Sequence, residues 1–299
     1  MDYDYVNRIE KAKQTIDDAN FVLIGGGAGL SDAAGLHYAG RRFTDNFSDF
    51  IEKYGFTDMY TSSFHPFETQ EERWAYWARH ISLNRYDTRA SALYKSLLRL
   101  AGEKEYFVIT TNVEHQFIKA GFPENRVFAV QGDYGLFQCA VGCHGELYGN
   151  ETQIRRMVSE TRDCRIPSAL VPKCPVCGGE MDVNIRHNEY FIQDDIWRRA
   201  ERRYADFLKG FAEKRVVCLE LGVGFNTPEI IRFPFERTVY GNERAVLIRI
   251  NRDCSRGMKE NEGRTIAFIE DMAETIGAII PCDRAQEKPR GDKRIVRFS

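Results

Sequence analysis

The sequence predicts an α/β fold, a doubly wound parallel sheet with a small second domain. Short apolar runs typical of buried strands, such as Phe21 to Ile24 and Tyr106 to Thr110, alternate along the chain with helical patterns. This alternation favours a parallel sheet with helices on both faces. Two stretches, 38–88 and 133–190, interrupt it, and we interpret them as a helical module and a metal-binding module. The sheet domain then consists of residues 1–37, 89–132 and 191–299.

Composition and charge narrow the class of protein. A chain of 299 residues can bury a large core, and 43% hydrophobic and 29% charged residues are ordinary values for a globular protein. The formal net charge of −2 favours neither nucleic acid nor an anionic membrane as a partner. The sequence has no apolar run of membrane-spanning length, and its acidic, aromatic start is unlike a secretory signal. We therefore expect a cytoplasmic protein without nucleic-acid or membrane partners.

A glycine-dense turn follows the first predicted strand. From Val22 to Gly35 the sequence is VLIGGGAGLSDAAG, so an apolar strand leads directly into glycines and then into small residues suited to a helix start. Glycine lets the backbone approach a ligand closely, and the free N–H groups of a helix start can bind phosphate. Such a turn is typical of pyrophosphate binding. Because Leu30 stands where the fingerprint G-x-G-x-x-G has its third glycine, a tight turn without a ligand is the alternative.

Four cysteines have the spacing of a structural zinc site. Cys139 and Cys143 form one pair, and Cys174 and Cys177 form the other. Zinc binds four thiolates tetrahedrally, and four protein ligands leave no open position for a substrate. Such an ion would fold a segment that is too polar to fold alone. The alternatives are four free thiols or a redox pair at Cys174 and Cys177.

Polar residues follow several predicted strands at the point where each strand ends. The segment Thr111 to His115 follows one strand, and Gln131 follows the next. Gly222 to Gly224 and Asn251 follow two later strands. Open α/β sheets bind their ligands outside the carboxyl ends of the strands, so these residues are candidate binding residues.

In their order along the chain, these motifs resemble those of the sirtuins, the NAD-consuming protein deacylases and ADP-ribosyltransferases. The resemblance covers nearly the whole chain and implies a Rossmann-like domain with a zinc ribbon and a helical insertion. It also implies that NAD binds in the cleft between the two domains. The matching segments are GAGLSDAAG (27–35), TTNVEH (110–115), VQG (130–132), the paired cysteines, GVGFNTP (222–228) and RIN (249–251).

The resemblance implies a set of NAD-binding residues. Asn112 would lie near the nicotinamide ribose, Glu114 near the carboxamide, and Asn251 on the adenine ribose. Phe43 would cover the nicotinamide pocket. The full implied set is Gly27, Ala28, Gly29, Ser31, Tyr38, Phe43, Asn112, Glu114, Gln131, Gly222, Val223, Gly224, Asn251 and Asp271.

Three positions depart from the usual sirtuin pattern. The segment His37 to Gly40 replaces Pro-Asp-Phe-Arg, which leaves Arg41 or Arg42 as the substitute for the missing arginine. Thr111 replaces a glutamine. Gln131 stands where the catalytic histidine is expected.

The exchange at position 131 predicts ADP-ribosyl transfer instead of deacylation. Release of nicotinamide needs positioning, exclusion of water and a nucleophile, but no strong base. Deacylation needs a group that takes the proton of the 2′-hydroxyl, which an imidazole can do near neutral pH and the amide of Gln131 cannot. Losing a general base costs about 10²–10⁴ in rate. We therefore expect Asn112 and Gln131 to be the catalytic residues, with His115 as a substitute base being the alternative.

Within the family, Gln131, the GLSDAAG variant and the long zinc segment resemble the class M, macrodomain-linked bacterial sirtuins. This resemblance implies mono-ADP-ribosylation of a protein acceptor, namely a lipoylated carrier protein related to the glycine-cleavage H protein. It also implies a macrodomain hydrolase that removes the modification. The competing functions are an NAD-dependent deacylase, an NAD glycohydrolase, and a non-catalytic sensor of NAD or ADP-ribose.

Overall fold

A computed structural model describes residues 3–102, 104–211 and 213–280 of the chain. The C-terminal residues 281–299 of the predicted sheet domain lie outside the described residues. The strands of the described part are β1 (Phe21–Gly26), β2 (Glu105–Thr110), β3 (Val127–Ala129), β4 (Gly132–Cys139), β5 (Tyr148–Gly149), β6 (Met181–Ile185), β7 (Val216–Leu221), β8 (Ala245–Ile250) and β9 (Thr265–Phe268).

Helices connect most of these strands. A π-helical turn, Ser82–Tyr86, extends the sixth helix, and short 3₁₀ turns cover Glu124–Arg126, Ser168–Leu170 and Lys259–Arg264. The α-helices are α1 (Tyr3–Asp18), α2 (Ala28–Ala33), α3 (Arg41–Thr44), α4 (Ser48–Tyr54), α5 (Met59–Ser62), α6 (Gln70–Ile81), α7 (Ala92–Ala101), α8 (Gln116–Lys119), α9 (Glu151–Glu160), α10 (Asp195–Lys209), α11 (Arg232–Gly241) and α12 (Met272–Ile279). Among the described helices, none is both long and apolar enough to cross a membrane.

Six strands form a parallel sheet in the order β3-β2-β1-β7-β8-β9. The first strand in the chain, β1, lies in the middle of the sheet. The strands β2 and β3 lie on one side of it, and β7, β8 and β9 lie on the other. The direction of winding therefore reverses between β1 and β7. This strand order is that of a Rossmann-like, doubly wound sheet, so the predicted fold class is confirmed.

Helices cover both faces of the large sheet, which explains why its strands are apolar along their whole length. On β1, the side chains of Val22 and Ile24 contribute to a core shared with α1, α7 and α12. The intervening Leu23 contributes to a second core, together with residues of α10 and α11. The period of two along a strand thus divides a continuous apolar run between two cores.

A second, smaller domain contains the helical module and an antiparallel sheet in the order β5-β4-β6. Its aromatic core includes residues of α3, α4, α6 and α9 and of the antiparallel sheet. The ring of Trp74 on α6 meets that of Phe137 on β4 edge-on, with 4.9 Å between the ring centroids. The two stretches that interrupt the α/β pattern therefore fold around one core. The exact domain boundaries of the sequence analysis stay predictions.

Candidate functional site

The two glycine turns lie side by side at the carboxyl edge of the large sheet. One follows β1 and the other follows β7, the two strands between which the winding reverses. The N–H of Gly27 donates to the carbonyl of Leu221 at 3.0 Å, and the N–H of Gly29 donates to that of Gly222 at 2.9 Å. In an open α/β sheet, the crevice at such a reversal is where ligands bind.

These turns require glycine because their backbones touch. A Cβ added to Gly27 would lie 2.7 Å from the carbonyl oxygen of Gly222, and a Cβ added to Gly222 would lie 2.4 Å from the carbonyl carbon of Gly29. Gly222 also has a φ of 60°, in the left-handed region that favours glycine. At Gly224, by contrast, a Cβ would have nothing within 4 Å. Gly27, Gly29 and Gly222 therefore permit the close packing of the two turns, which shapes the crevice.

A buried hydrogen-bond network links the first glycine turn to the segment after β2. Ser31 Oγ donates to Glu114 Oε1 at 2.7 Å, and the Tyr94 hydroxyl donates to the same oxygen at 3.2 Å. Asn112 Nδ2 donates to the carbonyl of Gly27 at 2.9 Å and contacts the Tyr94 hydroxyl at 3.3 Å. The network fixes the side chain of Asn112 at the edge of the crevice.

Glu114 is a buried carboxyl within this network. Burial raises the pKa of Glu114, and hydrogen bonds from Ser31, from the backbone and from Tyr94 offset part of the rise. The sequence analysis missed Tyr94, because an aromatic residue on the apolar face of α7 has the same pattern whether or not its hydroxyl is used. The polar segment after β2, which contains its partners Asn112 and Glu114, does not indicate Tyr94 either.

Gln131 lies between β3 and β4 and is half-buried. Its carbonyl accepts a hydrogen bond from the N–H of Arg186 at 3.0 Å. The indole N–H of Trp197, on α10, donates to the carbonyl of Val130 at 3.1 Å. The backbone around Gln131 is therefore held from two sides.

His115 follows the polar segment in a left-handed backbone conformation, with a φ of 69°. Its Nδ1 donates to Asp133 Oδ2 at 2.7 Å, and Arg85 Nε donates to Asp133 Oδ1 at the same distance. Burial raises the pKa of Asp133, but the hydrogen bond from His115 and the charge of Arg85 outweigh it, so the pKa lies below its usual value. Asp133 is thus an ionised carboxylate beside the imidazole.

Tyr38 and Phe43 lie in the second domain. The Tyr38 hydroxyl is 3.0 Å from that of Tyr134, which in turn is 3.1 Å from His80 Nε2. Phe43 is 1% exposed and its ring stacks on Phe47 with 5.3 Å between centroids. The ring of Phe43 is thus part of the aromatic core, and its role as a cover of the nicotinamide pocket stays a prediction.

The two arginines that could replace the missing family arginine differ in their surroundings. Arg42 Nη1 donates to Asn84 Oδ1 at 2.8 Å and to the carbonyl of His37 at 3.2 Å. Arg41 is exposed. Arg42 is therefore tied to the helical module, whereas the Arg41 side chain faces solvent.

On the other side of the crevice, Asn251 bridges the loops after β7 and β8. Its Nδ2 donates to the carbonyl of Val223 at 2.9 Å, and its Oδ1 accepts from the N–H groups of Asp253 and Cys254 at 3.1 and 3.0 Å. Asp271 lies beyond β9, where its Oδ1 caps α12 by accepting from the N–H of Glu274 at 2.9 Å. These interactions order the loops in which the predicted adenosine-binding residues lie.

Behind these loops lies a group of buried charges that the sequence analysis missed. Glu220 and Arg249 are register partners on β7 and β8, and Arg249 also contacts Glu236 at 2.9 Å. Arg232 Nη1 lies 3.4 Å from Glu220. The signal was present, because opposite charges occupy matching positions in two otherwise apolar strands that each end in a predicted binding loop.

The four predicted zinc ligands come together in the second domain. The sulfur atoms of Cys139, Cys143, Cys174 and Cys177 all lie within 4.8 Å of one another, with 3.8 Å between Cys139 and Cys177 and 3.7 Å between Cys143 and Cys174. Zinc–sulfur bonds of about 2.3 Å in a tetrahedron place the sulfur atoms about 3.8 Å apart. The cluster therefore has the dimensions of a four-thiolate zinc site.

Comparison with known proteins identifies the family. No protein-family model matches the chain. In fold it is similar to a Sir2 homologue solved as an NAD complex, with a TM-score of 0.57 and 15% identity over 91% of this chain and 92% of that one. Sir2Tm bound to a propionylated peptide gives a TM-score of 0.55 at 16% identity, over 91% and 96% of the two chains.

Sequence comparison gives a much higher identity. The chain is 39% identical over 274 residues to a protein ADP-ribosyltransferase of Staphylococcus aureus. This match covers 89% of the present chain and 87% of the relative. The chain belongs to the sirtuin-type protein ADP-ribosyltransferases. The present chain is also 31% identical over 283 residues to a probable bifunctional ADP-ribose hydrolase/ADP-ribosyltransferase of Fusarium oxysporum. That match covers 90% of this chain and 47% of the fungal protein, so the chain spans about half the length of that relative.

Proposed function

We propose that this ADP-ribosyltransferase transfers a single ADP-ribosyl group from NAD to a protein acceptor and releases nicotinamide. The observation that carries the proposal is Gln131, an amide at the position where the sirtuin pattern has a histidine. An amide donates and accepts hydrogen bonds but does not take up a proton near neutral pH. The site can therefore orient reactants for transfer, while it lacks the base that acyl removal needs.

The crevice between the β1 and β7 turns is the NAD site of this proposal. Two backbone turns packed without intervening side chains make a narrow floor, as a pyrophosphate requires. NAD supplies the ADP-ribosyl group, with nicotinamide as the leaving group. A solved Sir2 homologue with a similar fold is an NAD complex, which supports this assignment.

Asn112 and Gln131 are the catalytic residues of the proposal. The Asn112 side chain is oriented by its hydrogen bonds to Gly27 and Tyr94, so its remaining polar atom is free to face the nicotinamide ribose. Gln131 would position the ribose hydroxyls and the incoming acceptor. Correct placement of two reactants can supply about 7–11 kcal/mol of the barrier without any base.

Zinc is the second bound species of the proposal, held by the four cysteines. Their spacing fits the ion, and with four thiolate ligands it would stabilise the antiparallel sheet without contacting the substrate. The ion is therefore assigned a structural role.

The proposed acceptor is a lipoylated carrier protein of the glycine-cleavage H type. We further propose that a separate macrodomain hydrolase removes the modification. The name of the fungal relative combines an ADP-ribose hydrolase with an ADP-ribosyltransferase in a protein about twice as long as the matched region, which supports a functional link between the two activities.

Labelled NAD tests the function. The enzyme is incubated with NAD labelled in the adenosine half and with the carrier protein in lipoylated and unlipoylated form. We expect label on the lipoylated carrier only, loss of labelling in Asn112→Ala, and unchanged labelling in the exposed control Asn125→Ala. Free ADP-ribose as the main product would indicate a glycohydrolase, and intact NAD would indicate a sensor.

A further inference from the structure

One carboxylate connects three parts of this molecule. Asp133 belongs to β4 of the antiparallel sheet, and its two oxygens accept hydrogen bonds from two different directions. His115 Nδ1 donates from the segment that follows β2 of the large sheet, at 2.7 Å. Arg85 Nε donates from the π-helical turn of the helical module, also at 2.7 Å. Asp133 therefore lies where the large sheet, the antiparallel sheet and the helical module meet.

The segments joined by this carboxylate carry the two proposed catalytic residues. Asn112 precedes His115 by three residues, and Gln131 precedes Asp133 by two. The contact between His115 and Asp133 is a side-chain connection between these segments. The contact therefore lies within three residues of each of the two proposed catalytic residues.

Backbone hydrogen bonds continue the pairing of the two segments beyond the ends of β2 and β3. The N–H of Val130 donates to the carbonyl of Thr110, and the N–H of Tyr134 donates to that of Val113, both at 3.0 Å. These two backbone bonds join the segments directly, in addition to the contacts that hold Asn112 and Gln131 to other parts of the chain. The side chains of His115 and Asp133 add a third, lateral connection between the two segments.

The backbone of His115 is held in a conformation that costs energy. A non-glycine residue with a φ of 69° is uncommon, and such a residue persists only where its surroundings compensate for the strain. The imidazole is hydrogen-bonded to the carboxylate of Asp133, which also forms an ion pair with Arg85. Lys119 Nζ donates to the carbonyls of Arg85 and Thr88, which fixes the turn that carries Arg85.

We infer that His115, acting through Asp133, is a positioning residue that sets the spacing between Asn112 and Gln131 during ADP-ribosyl transfer. The inference rests on the proposed function of those two residues. Since a misplacement of about 1 Å in a catalytic group can cost about 10²-fold in rate, a connection of this kind affects turnover more than binding. The two glycine turns of the proposed NAD site follow β1 and β7 and are hydrogen-bonded to each other, without a contact from the His115 side chain.

Two substitutions of His115 separate the contact from the backbone strain. His115→Gly removes the imidazole and leaves a residue that adopts positive φ freely. His115→Asn also tolerates the left-handed conformation, and its amide N–H₂ can still donate to Asp133. Asparagine has no ring that could accept a proton. It therefore distinguishes a hydrogen-bonding role from a role as general base.

The test compares kinetics, NAD binding and hydrogen exchange in the full-length protein. For His115→Gly we expect kcat of nicotinamide release to fall on the order of 10- to 100-fold, with KM for NAD within about twofold. Amide exchange in the NAD-free protein should rise in the segments 111–115 and 131–135, and the melting temperature should stay near that of the wild type. His115→Asn should restore most of kcat and of the exchange protection.

Several results would overturn the inference. They are wild-type kcat in His115→Gly, an increase confined to KM, an equal loss of kcat in both variants, or a His115→Gly protein that does not fold. An equal loss would make the imidazole a general base. Failure of the proposed function is seen separately, because it concerns the products of the wild-type enzyme, whereas this inference concerns the ratio of variant to wild type.

Discussion

Arg249 and Glu220 form a buried ion pair behind the loops on the predicted adenosine side of the crevice. Arg249 Nη2 donates to Glu220 Oε2 at 2.8 Å, and neither side chain has exposed surface. Arg249 Nη1 donates to the carbonyl of Arg256 at 2.6 Å, and Arg232 Nη2 donates to the same carbonyl at 3.0 Å. The pair therefore connects the ends of β7 and β8 to the loop that follows β8.

Loss of Arg249 should destabilise the protein strongly. Arg249→Met removes the charge and keeps most of the apolar volume, so Glu236 loses this partner and Glu220 keeps only the 3.4 Å contact with Arg232. We expect a loss of about 3–5 kcal/mol in the free energy of unfolding, measured with urea. Arg252→Met is the matched control, since the Arg252 side chain is 80% exposed, and it should change stability by no more than about 0.5 kcal/mol. Equal stability of the two variants would contradict the role given to the pair.

The contact between the two glycine turns predicts the effect of a single methyl group. In Gly222→Ala the new Cβ would overlap the backbone of Gly29 in a residue with positive φ, so both the turn and its partner must move. We expect a destabilisation of more than about 1 kcal/mol and a weaker binding of NAD, measured by thermal unfolding and by titration. Gly277→Ala, in the open middle of α12, should instead stabilise the protein by about 0.5–1 kcal/mol. A Gly222→Ala protein as stable as the wild type would mean that the turns are not in tight contact.

The features of the fold and site that could be predicted from the sequence are those that depend on residues close together in the chain. The glycine turn after β1 and the two cysteine pairs are short patterns, and the structure brings their members together as expected. Asp133, Tyr94 and Arg249 escaped prediction because each acts through a partner distant in sequence. The residues around Tyr94 and Asp133 are those of an ordinary helix and strand, and the charge of Arg249 is informative only when it is matched with Glu220 on β7.

Phe43 illustrates the limit of a motif that departs from its family. The resemblance implies that Phe43 covers the nicotinamide pocket, which stays a prediction, and the structure packs its ring among Phe47 and other aromatic residues of the second domain. An aromatic residue in a polar loop can face a ligand or a core. Which of the two it faces depends on the elements that pack around it, and most of these are distant in sequence.

Removal of zinc should unfold the second domain. The antiparallel sheet is short, and the four cysteines hold β4 against the turn before β6. We expect one zinc per chain in the wild type and in the control Cys254→Ser, and loss of the metal in Cys143→Ser, measured by elemental analysis. Loss of metal should expose Trp74, which is fully buried, and shift its fluorescence. A chelated protein with unchanged fluorescence would rule out a structural metal.

Burial of His80 predicts that acid destabilises the fold. Burial, with a smaller contribution from the charge of Arg42, lowers the pKa of His80 from 6.5 to about 3. Between these values the unfolded chain binds a proton that the folded chain does not, so stability falls as the pH decreases from 6.5 towards 3. From pH 7 to pH 5, the wild type should lose about 2 kcal/mol more than His80→Gln, whose amide can still bond to Tyr134. Urea unfolding at the two pH values measures this, and parallel losses in both proteins would refute it.

Restoring the imidazole at position 131 should restore acyl removal. Gln131→His supplies a group that can take the proton of the 2′-hydroxyl, at a position where the backbone is already fixed by Arg186. We expect deacylation of an acyl-lysine peptide to rise at least about tenfold, and Gln131→Ala to show no such gain. Liquid chromatography of the peptide measures the rate. No gain in Gln131→His would indicate that the acyl group does not reach this cleft.

The most direct test of the central claim is mass spectrometry of the products that the wild-type enzyme forms from NAD when a lipoylated carrier protein and an acyl-lysine peptide are both present. The account predicts a carrier heavier by one ADP-ribosyl group, an equal amount of nicotinamide, and a peptide that keeps its acyl group. Formation of acyl-ADP-ribose at the rate of nicotinamide release would contradict it.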